Sequence, residues 1–232
     1  MRVAAIYDIH GNLSALEAVL TEINKNHVDR VIVGGDLVWG PEPRQVMELL
    51  LKQKDEFLFI RGNADREVAT RYTKGLDELT AKLNNWCADQ LSPHQLSFLN
   101  NLPEKLSLNI DGLGEVLFVH GSPRSDEEAI RVSTTEGEIE SMLTSTTQEI
   151  IVCGHTHIQF DRVVANKRII NPGSVGLQSR ATGACWALLG PEIELKMTQY
   201  DVKKANARIL KSSAPYKKEF AKHYLNPPYV GP

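Results

Sequence analysis

The chain opens on Val3-Ala4-Ala5-Ile6-Tyr7, an apolar run that stops at Asp8-Ile9-His10-Gly11-Asn12. A short run that is apolar throughout, without alternation, suits a strand buried on both faces of a sheet, and its polar cluster then falls where the strand exits. Ligands of open α/β sheets bind at that edge. The pattern returns: Arg30 to Val33 closes on Gly34-Gly35-Asp36, Phe57 to Ile60 on Arg61-Gly62-Asn63-Ala64-Asp65, and Val116 to Val119 on His120-Gly121-Ser122-Pro123. Ile150 to Cys153 then ends at Gly154-His155-Thr156-His157, and Arg168 to Ile170 at Asn171-Pro172-Gly173-Ser174. A fold that accepts this sequence gathers many strand ends along one edge.

The segments between these runs read as helices and hairpins. Asn12 is an N-cap for a helix carrying Leu16, Val19, Leu20 and Ile23 at helical spacing, and Pro41 to Gln53 is a second helix with its prolines in the first turn. A helical insert spans about 66–102 and contains the capping box Ser92-Pro93-His94-Gln95. Leu106 to Ile110 pairs with Val116 to Val119 around Asp111-Gly112, Thr134 to Leu143 is helical, and Phe160 to Val164 pairs with Arg168 to Ile170 around Asn166-Lys167. Two strands near 184–189 and 192–199 precede a helical C-terminal extension near 201–225. The first half alternates strand and helix and the second is richer in consecutive strands. This predicts one α/β domain over 1–232, a four-layer α/β/β/α sandwich of two mixed sheets packed face to face with helices outside.

Charge and cysteine content narrow the function. A net charge of −3 argues against a general nucleic-acid binder. The segment from Tyr200 onward is about +5, which reads as a solvated helical face. Cys87, Cys153 and Cys185 lack C-x-x-C spacing, so they indicate neither a disulfide framework nor a cysteine zinc site. No apolar segment approaches the roughly 20 residues of a membrane span, and no secretory signal is visible, so the expectation is a cytoplasmic protein without a membrane partner. The oligomeric state is open, a homo-oligomer included.

The strand exits together supply Asp8, His10, Asp36, Asn63, His120, His155 and His157. Imidazole with carboxylate suits borderline divalent metals, manganese first, then iron, zinc or nickel, whereas calcium and magnesium favour oxygen alone. His27, His94 and His223 lie in or near surface helices or the tail and read as ordinary surface histidines.

These clusters, in this order, resemble the motifs of the calcineurin-type metallophosphoesterase superfamily, and of its small bacterial and archaeal phosphodiesterase-like branch: Asp8-Ile9-His10, Gly35-Asp36, Gly62-Asn63-Ala64-Asp65, His120-Gly121, Gly154-His155-Thr156-His157 and Asn171-Pro172-Gly173-Ser174. The resemblance implies two divalent metal ions. Asp8, His10 and His157 would hold one, Asn63, His120 and His155 the other, and Asp36 would bridge them. It implies a metal-dependent phosphoesterase, hydrolysing a small phosphodiester or pyrophosphate-type substrate through a hydroxide shared by both metals, with Asp36 and Asn63 in catalytic roles. A phosphomonoesterase, or a weakly active metal-binding regulatory protein, is the alternative.

One position departs from the family. Members often carry a histidine after the Gly-Asn, and here Ala64 stands there. Loss of a general acid costs about 10² to 10⁴ in rate, so the substitution predicts a preference for acidic leaving groups, unless Asp65, Arg66 or Arg124 supplies the proton. Substrate contacts are expected from Asn63, from Asn12 beside a helix N-terminus, and from Arg124. Arg180 could clamp phosphate or sit solvated, and Trp39 could stack on a substrate ring or pack under its own loop. Gly173 and Ser174 are expected to shape a turn supporting the metal loops.

Overall fold

The computed structural model describes residues 1–232. Along the chain, β1 (Val3–Ile6), α1 (Leu13–Lys25), β2 (Arg30–Val33), α2 (Pro43–Lys52) and β3 (Phe57–Phe59) form the alternating first part. Three helices follow, α3 (Asn63–Thr70), α4 (Glu78–Asp89) and α5 (Pro93–Asn100). Next come β4 (Lys105–Ile110), β5 (Gly114–Val119), α6 (Glu136–Met142), β6 (Ile150–Val152), β7 (Phe160–Val164) and β8 (Lys167–Asn171). The chain ends with β9 (Ala184–Leu189), β10 (Ile193–Thr198), α7 (Val202–Lys211) and α8 (Lys217–Leu225).

The strands form two five-stranded sheets, ordered β10-β9-β1-β2-β3 and β4-β5-β6-β8-β7. In the first sheet β1, β2 and β3 run parallel and β9 and β10 are antiparallel additions. In the second, β5, β6 and β8 run parallel between antiparallel β4 and β7. Both sheets are mixed, and the parallel strands are the ones whose exits carry the polar clusters.

Strand alternation explains the layering. Val3, Ala5, Tyr7 and Ile32 of the first sheet meet Val116, Phe118, Val152 and Ile170 of the second in one apolar layer between the sheets. Their neighbours Ala4, Ile6, Val31 and Val33 face outward, under every helix except α6. Leu117, Val119, Ile151 and Ile169 face outward on the other side, covered by Ile139 of α6 and by Ile130. With both faces buried, the runs carry no polar alternation.

Local signals place the helices. Asn12 caps α1 by accepting from the Ala15 N–H, and the Ser92–Gln95 capping box starts α5. The helical insert begins earlier than expected, at Asn63, because Gly62 is extended and the Asp65 carboxylate accepts the Gly62 N–H, closing the first turn. The β7–β8 turn sits one residue earlier than expected, with Ala165 and Asn166 both left-handed. No helix is long and apolar enough to cross a membrane.

Candidate metal centre

The loops leaving β1 and β2 continue the parallel ladder past the strands. Asp8 N–H donates to Gly35 O at 3.1 Å, His10 N–H to Asp36 O at 2.9 Å and Gly11 N–H to Leu37 O at 3.0 Å. On the other sheet Gly154 N–H donates to His120 O at 2.7 Å. The two halves meet across Tyr7, whose ring lies where side chains at Gly34 and Gly154 would stand: a Cβ at either would fall 2.1 or 2.4 Å from ring atoms. The Ser174 hydroxyl donates to Asp8 O at 2.7 Å and accepts the Leu177 N–H, and Asn171 Nδ2 donates to Gly154 O at 2.8 Å. The Asn171–Ser174 turn thus ties both metal loops together.

These ties hold unusual backbone. Asp8, His10, Asp36, His155 and His157 all have positive φ, between 45° and 65°. Non-glycine residues adopt that region rarely, and its recurrence here turns successive side chains back toward one point.

The two carboxylates are held alike. The Asp8 Oδ2 atom accepts the His155 N–H at 3.1 Å, and Oδ1 is buried without a partner. The Asp36 Oδ1 atom accepts the Ala64 N–H at 2.9 Å, while Oδ2 lies 3.5 Å from His10 Nε2 and 3.5 Å from His120 Nε2. The imidazoles are oriented from behind: Nδ1 of His10 donates to Trp39 O at 3.0 Å and Nδ1 of His120 to Gly34 O at 2.9 Å, so that Nε2 of each is the nitrogen facing the carboxylates. His10 Nε2 faces His157 Nε2 at 3.0 Å, and His157 Nε2 lies 3.5 Å from Asp8 Oδ1.

Two groups therefore form, Asp8 with His10 and His157, and Asp36 with His120 and His155. Orphaned donor atoms buried in the same place, Asp8 Oδ1, Asn63 Oδ1 and His120 Nε2, are what ligands awaiting a cation look like. Their spacing agrees, because two atoms each about 2.1 Å from one ion and about 90–110° apart lie about 3.0–3.4 Å from each other. The residues fit divalent metal. The structure brings all seven expected ligands to one edge, with Asp36 Oδ2 between the two groups.

Electrostatics favours ionised carboxylates. Burial opposes ionisation of Asp36, but the facing His120 outweighs it and holds its carboxyl well below the usual range. Burial likewise opposes ionisation of Asp8, and His157 and His120 outweigh it. Burial and His157 push His10 down to about 4, which keeps its imidazole neutral at ordinary pH.

Several expected contacts lie elsewhere. Asn12 is fully buried, its Oδ1 capping α1 and its Nδ2 donating to Gly176 O and the Tyr200 hydroxyl, so its amide is already committed. Arg124 points to Glu128, with Nε 2.8 Å from Oε2, and to Ser141. Arg66 is paired with Asp126 and Glu127. The Asp65 carboxylate accepts N–H groups of Asp36, Leu37 and Gly62, and burial with the nearby Asp36 pushes its pKa up to about 7. Arg180 binds the tail at Pro228 and Tyr229. His223 Nε2 donates to Gln178 O at 2.8 Å.

A cavity of about 360 Å³ opens over His10, Asp36, Asn63, His155 and His157. Its remaining wall includes Trp39, Ala64, Glu67, Leu76, Leu177 and Pro232. Trp39 lines the cavity, and its ring packs edge-on against His10 at 5.6 Å and Phe220 at 6.0 Å. The buried Glu67 was not singled out from sequence. Its signal was available, since it stands four residues after Asn63 and shares that face of α3. Its carboxylate accepts from Asn84 at 3.1 Å.

Residues 1–192 match the family model of the calcineurin-like phosphoesterase superfamily domain. The chain belongs to that superfamily. It is a metal-dependent phosphoesterase. A metallophosphoesterase from Sphaerobacter thermophilus is 27% identical, with a TM-score of 0.75 over 97% of this chain and 98% of that one. A hypothetical protein from Pyrococcus horikoshii has the same fold at a TM-score of 0.84, covering 96% of this chain and 97% of its own, with 22% identity. An uncharacterized protein of Methanocaldococcus jannaschii is 28% identical over 92% of this chain and 93% of its own length.

Proposed function

We propose that the protein hydrolyses a small phosphoester, a diester or a pyrophosphate-type linkage, at a two-metal centre. Asp8, His10 and His157 would hold one ion, Asn63, His120 and His155 the other, and Asp36 would be shared between them. The observation that supports this reading is Asp36 Oδ2, 3.5 Å from an imidazole of each group, its other oxygen fixed by the Ala64 N–H. Histidine and carboxylate donors suit borderline divalent ions, among which we place manganese first, with iron, zinc or nickel next. When bound, two such ions acidify a water to serve as nucleophile near neutral pH and neutralise charge on the phosphoryl oxygens.

The chain's own groups do the rest. Trp39 O and Gly34 O hold the imidazoles in the tautomer that presents Nε2. Asn63, at the start of α3, presents its buried Oδ1 toward the same point. The methyl of Ala64 lines the cavity where a proton donor would stand, and Asp65, Arg66 and Arg124 are each engaged elsewhere. With those three engaged, Glu67 is the remaining carboxyl on the cavity wall, and without a proton from it the leaving group departs as an anion or takes its proton from solvent, which favours acidic alcohols.

This same feature favours a second reading, a metal-binding protein of low turnover. Turnover of bis(p-nitrophenyl) phosphate, dependent on added manganese and abolished in Asp36→Asn, is the expected result. Metal binding without turnover of any phosphoester would select the second reading. A series of substituted phenyl esters should show rates falling steeply as leaving-group pKa rises, and a flat series would sink the argument from Ala64.

A further inference from the structure

The cavity wall beyond the ligands is largely carbon. Trp39, Ala64, Leu76, Leu177 and Pro232 supply it, its charged side chain is a carboxylate, Glu67, and its one hydroxyl, Thr80, already donates to Asp77. The arginines beside the Asn63 and His120 loops are each spent on other partners, Arg61 on Glu104, Arg66 on Asp126 and Glu127, and Arg124 on Glu128. A substrate reaching out from the site thus meets mostly apolar surface, one carboxylate side chain and a hydroxyl already engaged by Asp77. Extra phosphates would be poorly accommodated there, because ionised oxygens lose hydration without gaining a partner.

The tail completes this wall and is held in place. Arg180 N–H donates to Pro228 O at 2.9 Å, its Nε to Tyr229 O at 2.7 Å, and its guanidinium lies 4.2 Å from the Tyr229 ring centroid. Packing at Gly231 is tight against the ligand loop, since a Cβ there would stand 2.0 Å from Thr156 O, between His155 and His157. Three observations converge on this wall: apolar lining, a clamped tail, and an aromatic ring, Trp39, packed beside the ligand His10.

We propose that the wall formed by Trp39, Leu76, Leu177 and the Arg180-clamped tail accepts the organic group of the substrate, so that the enzyme takes a single phosphate esterified to a flat apolar or aromatic group and discriminates against polyphosphates. The inference rests on the phosphoesterase reading above and narrows its substrate class.

The test compares kcat/KM of the manganese-loaded full chain on phenyl p-nitrophenyl phosphate, methyl p-nitrophenyl phosphate and ADP. The first two share a leaving group and differ only in the second ester. The phenyl ester is expected to exceed the methyl ester by about tenfold or more, the usual worth of a filled apolar pocket, with ADP slowest. Leu76→Lys should erase the phenyl preference and raise the rate on ADP, with metal content as in the parent chain. Arg180→Ala should raise KM for the phenyl ester more than it lowers kcat, because it loosens the wall and leaves the ligands in place. Equal rates on phenyl and methyl esters, or a preference for ADP, would overturn this inference and leave the phosphoesterase reading standing. Absence of metal-dependent turnover on all three would overturn both.

Discussion

The two sheets contribute comparably to the metal centre and are clad very differently. Outside β1, β2 and β3 lies an apolar cluster of 32 buried residues reaching into seven helices, whereas the cluster outside β5, β6 and β8 has 10 buried residues and one helix, α6. The thickly covered sheet supplies Asp8, His10, Asp36 and Asn63, and the thinly covered one supplies His120, His155 and His157. Helix packing therefore does not hold the histidine half in register. Cross-sheet ties do: the His155 N–H on Asp8, the Tyr7 ring beside Gly154, and the Asn171–Ser174 turn between both loops. The centre works as a joint, and its ligands on one side depend on atoms from the other.

The strongest way to break that comparison is at the shared group. Asp36→Asn should lower turnover by on the order of 10³-fold and reduce both metals together, whereas His157→Ala should deplete one, as metal analysis of the purified variants would show. Loss of a single metal in Asp36→Asn would mean that the halves are independent. Core truncations come next. Leu16→Ala, in the large cluster, should destabilise by about 4 kcal/mol and Ile139→Ala by about 2 kcal/mol in denaturant titrations, because a small edge cluster relaxes around a cavity more easily. Equal effects would erase the asymmetry.

Chelation should remove about 2.7 kcal/mol of stability for each ion whose free concentration had been held at a hundred times its dissociation constant. Hydrogen exchange on the chelated protein should then rise first at residues 120–123 and 153–158, on the thinly covered side. Asn171→Ala removes donors to Gly154 O and Thr156 Oγ and should weaken metal binding about 10- to 100-fold, read by competition with a chelating dye. Arg124→Ala should do least, leaving the denaturation midpoint essentially where it is in the parent chain, since its exposed guanidinium is paired with a neighbour four residues away.

What was legible in the sequence was what strand periodicity and strand exits determine. Runs such as Ala4 to Ile6 and Ile150 to Val152 read as strands buried on both faces, and the residues directly after them fell at the shared edge. The same reasoning misassigned side chains whose partners are remote. Arg180 finds its partners at Pro228 and Tyr229, and Asn12 reaches Gly176 and Tyr200; neither distance in sequence has a period to read. Asp65 is a different kind of miss. A helix starting at Asn63 puts Asp65 at its third position, where a carboxylate binds backbone N–H groups, so its structural use follows once that boundary is known. The cavity wall escaped because it is assembled from a loop after β2, the start of the helical insert and the tail.

The left-handed backbone at Asp8, His10, Asp36, His155 and His157 sets a limit on what selection for hardiness can do to this molecule. Each such residue is strained by about 1–2 kcal/mol relative to glycine, which occupies that region freely. Glycine at any of these five positions would relax the chain and delete a ligand in the same change. A library sorted only for resistance to heat, without metal present, should accumulate glycines there, and its most robust members would be inert.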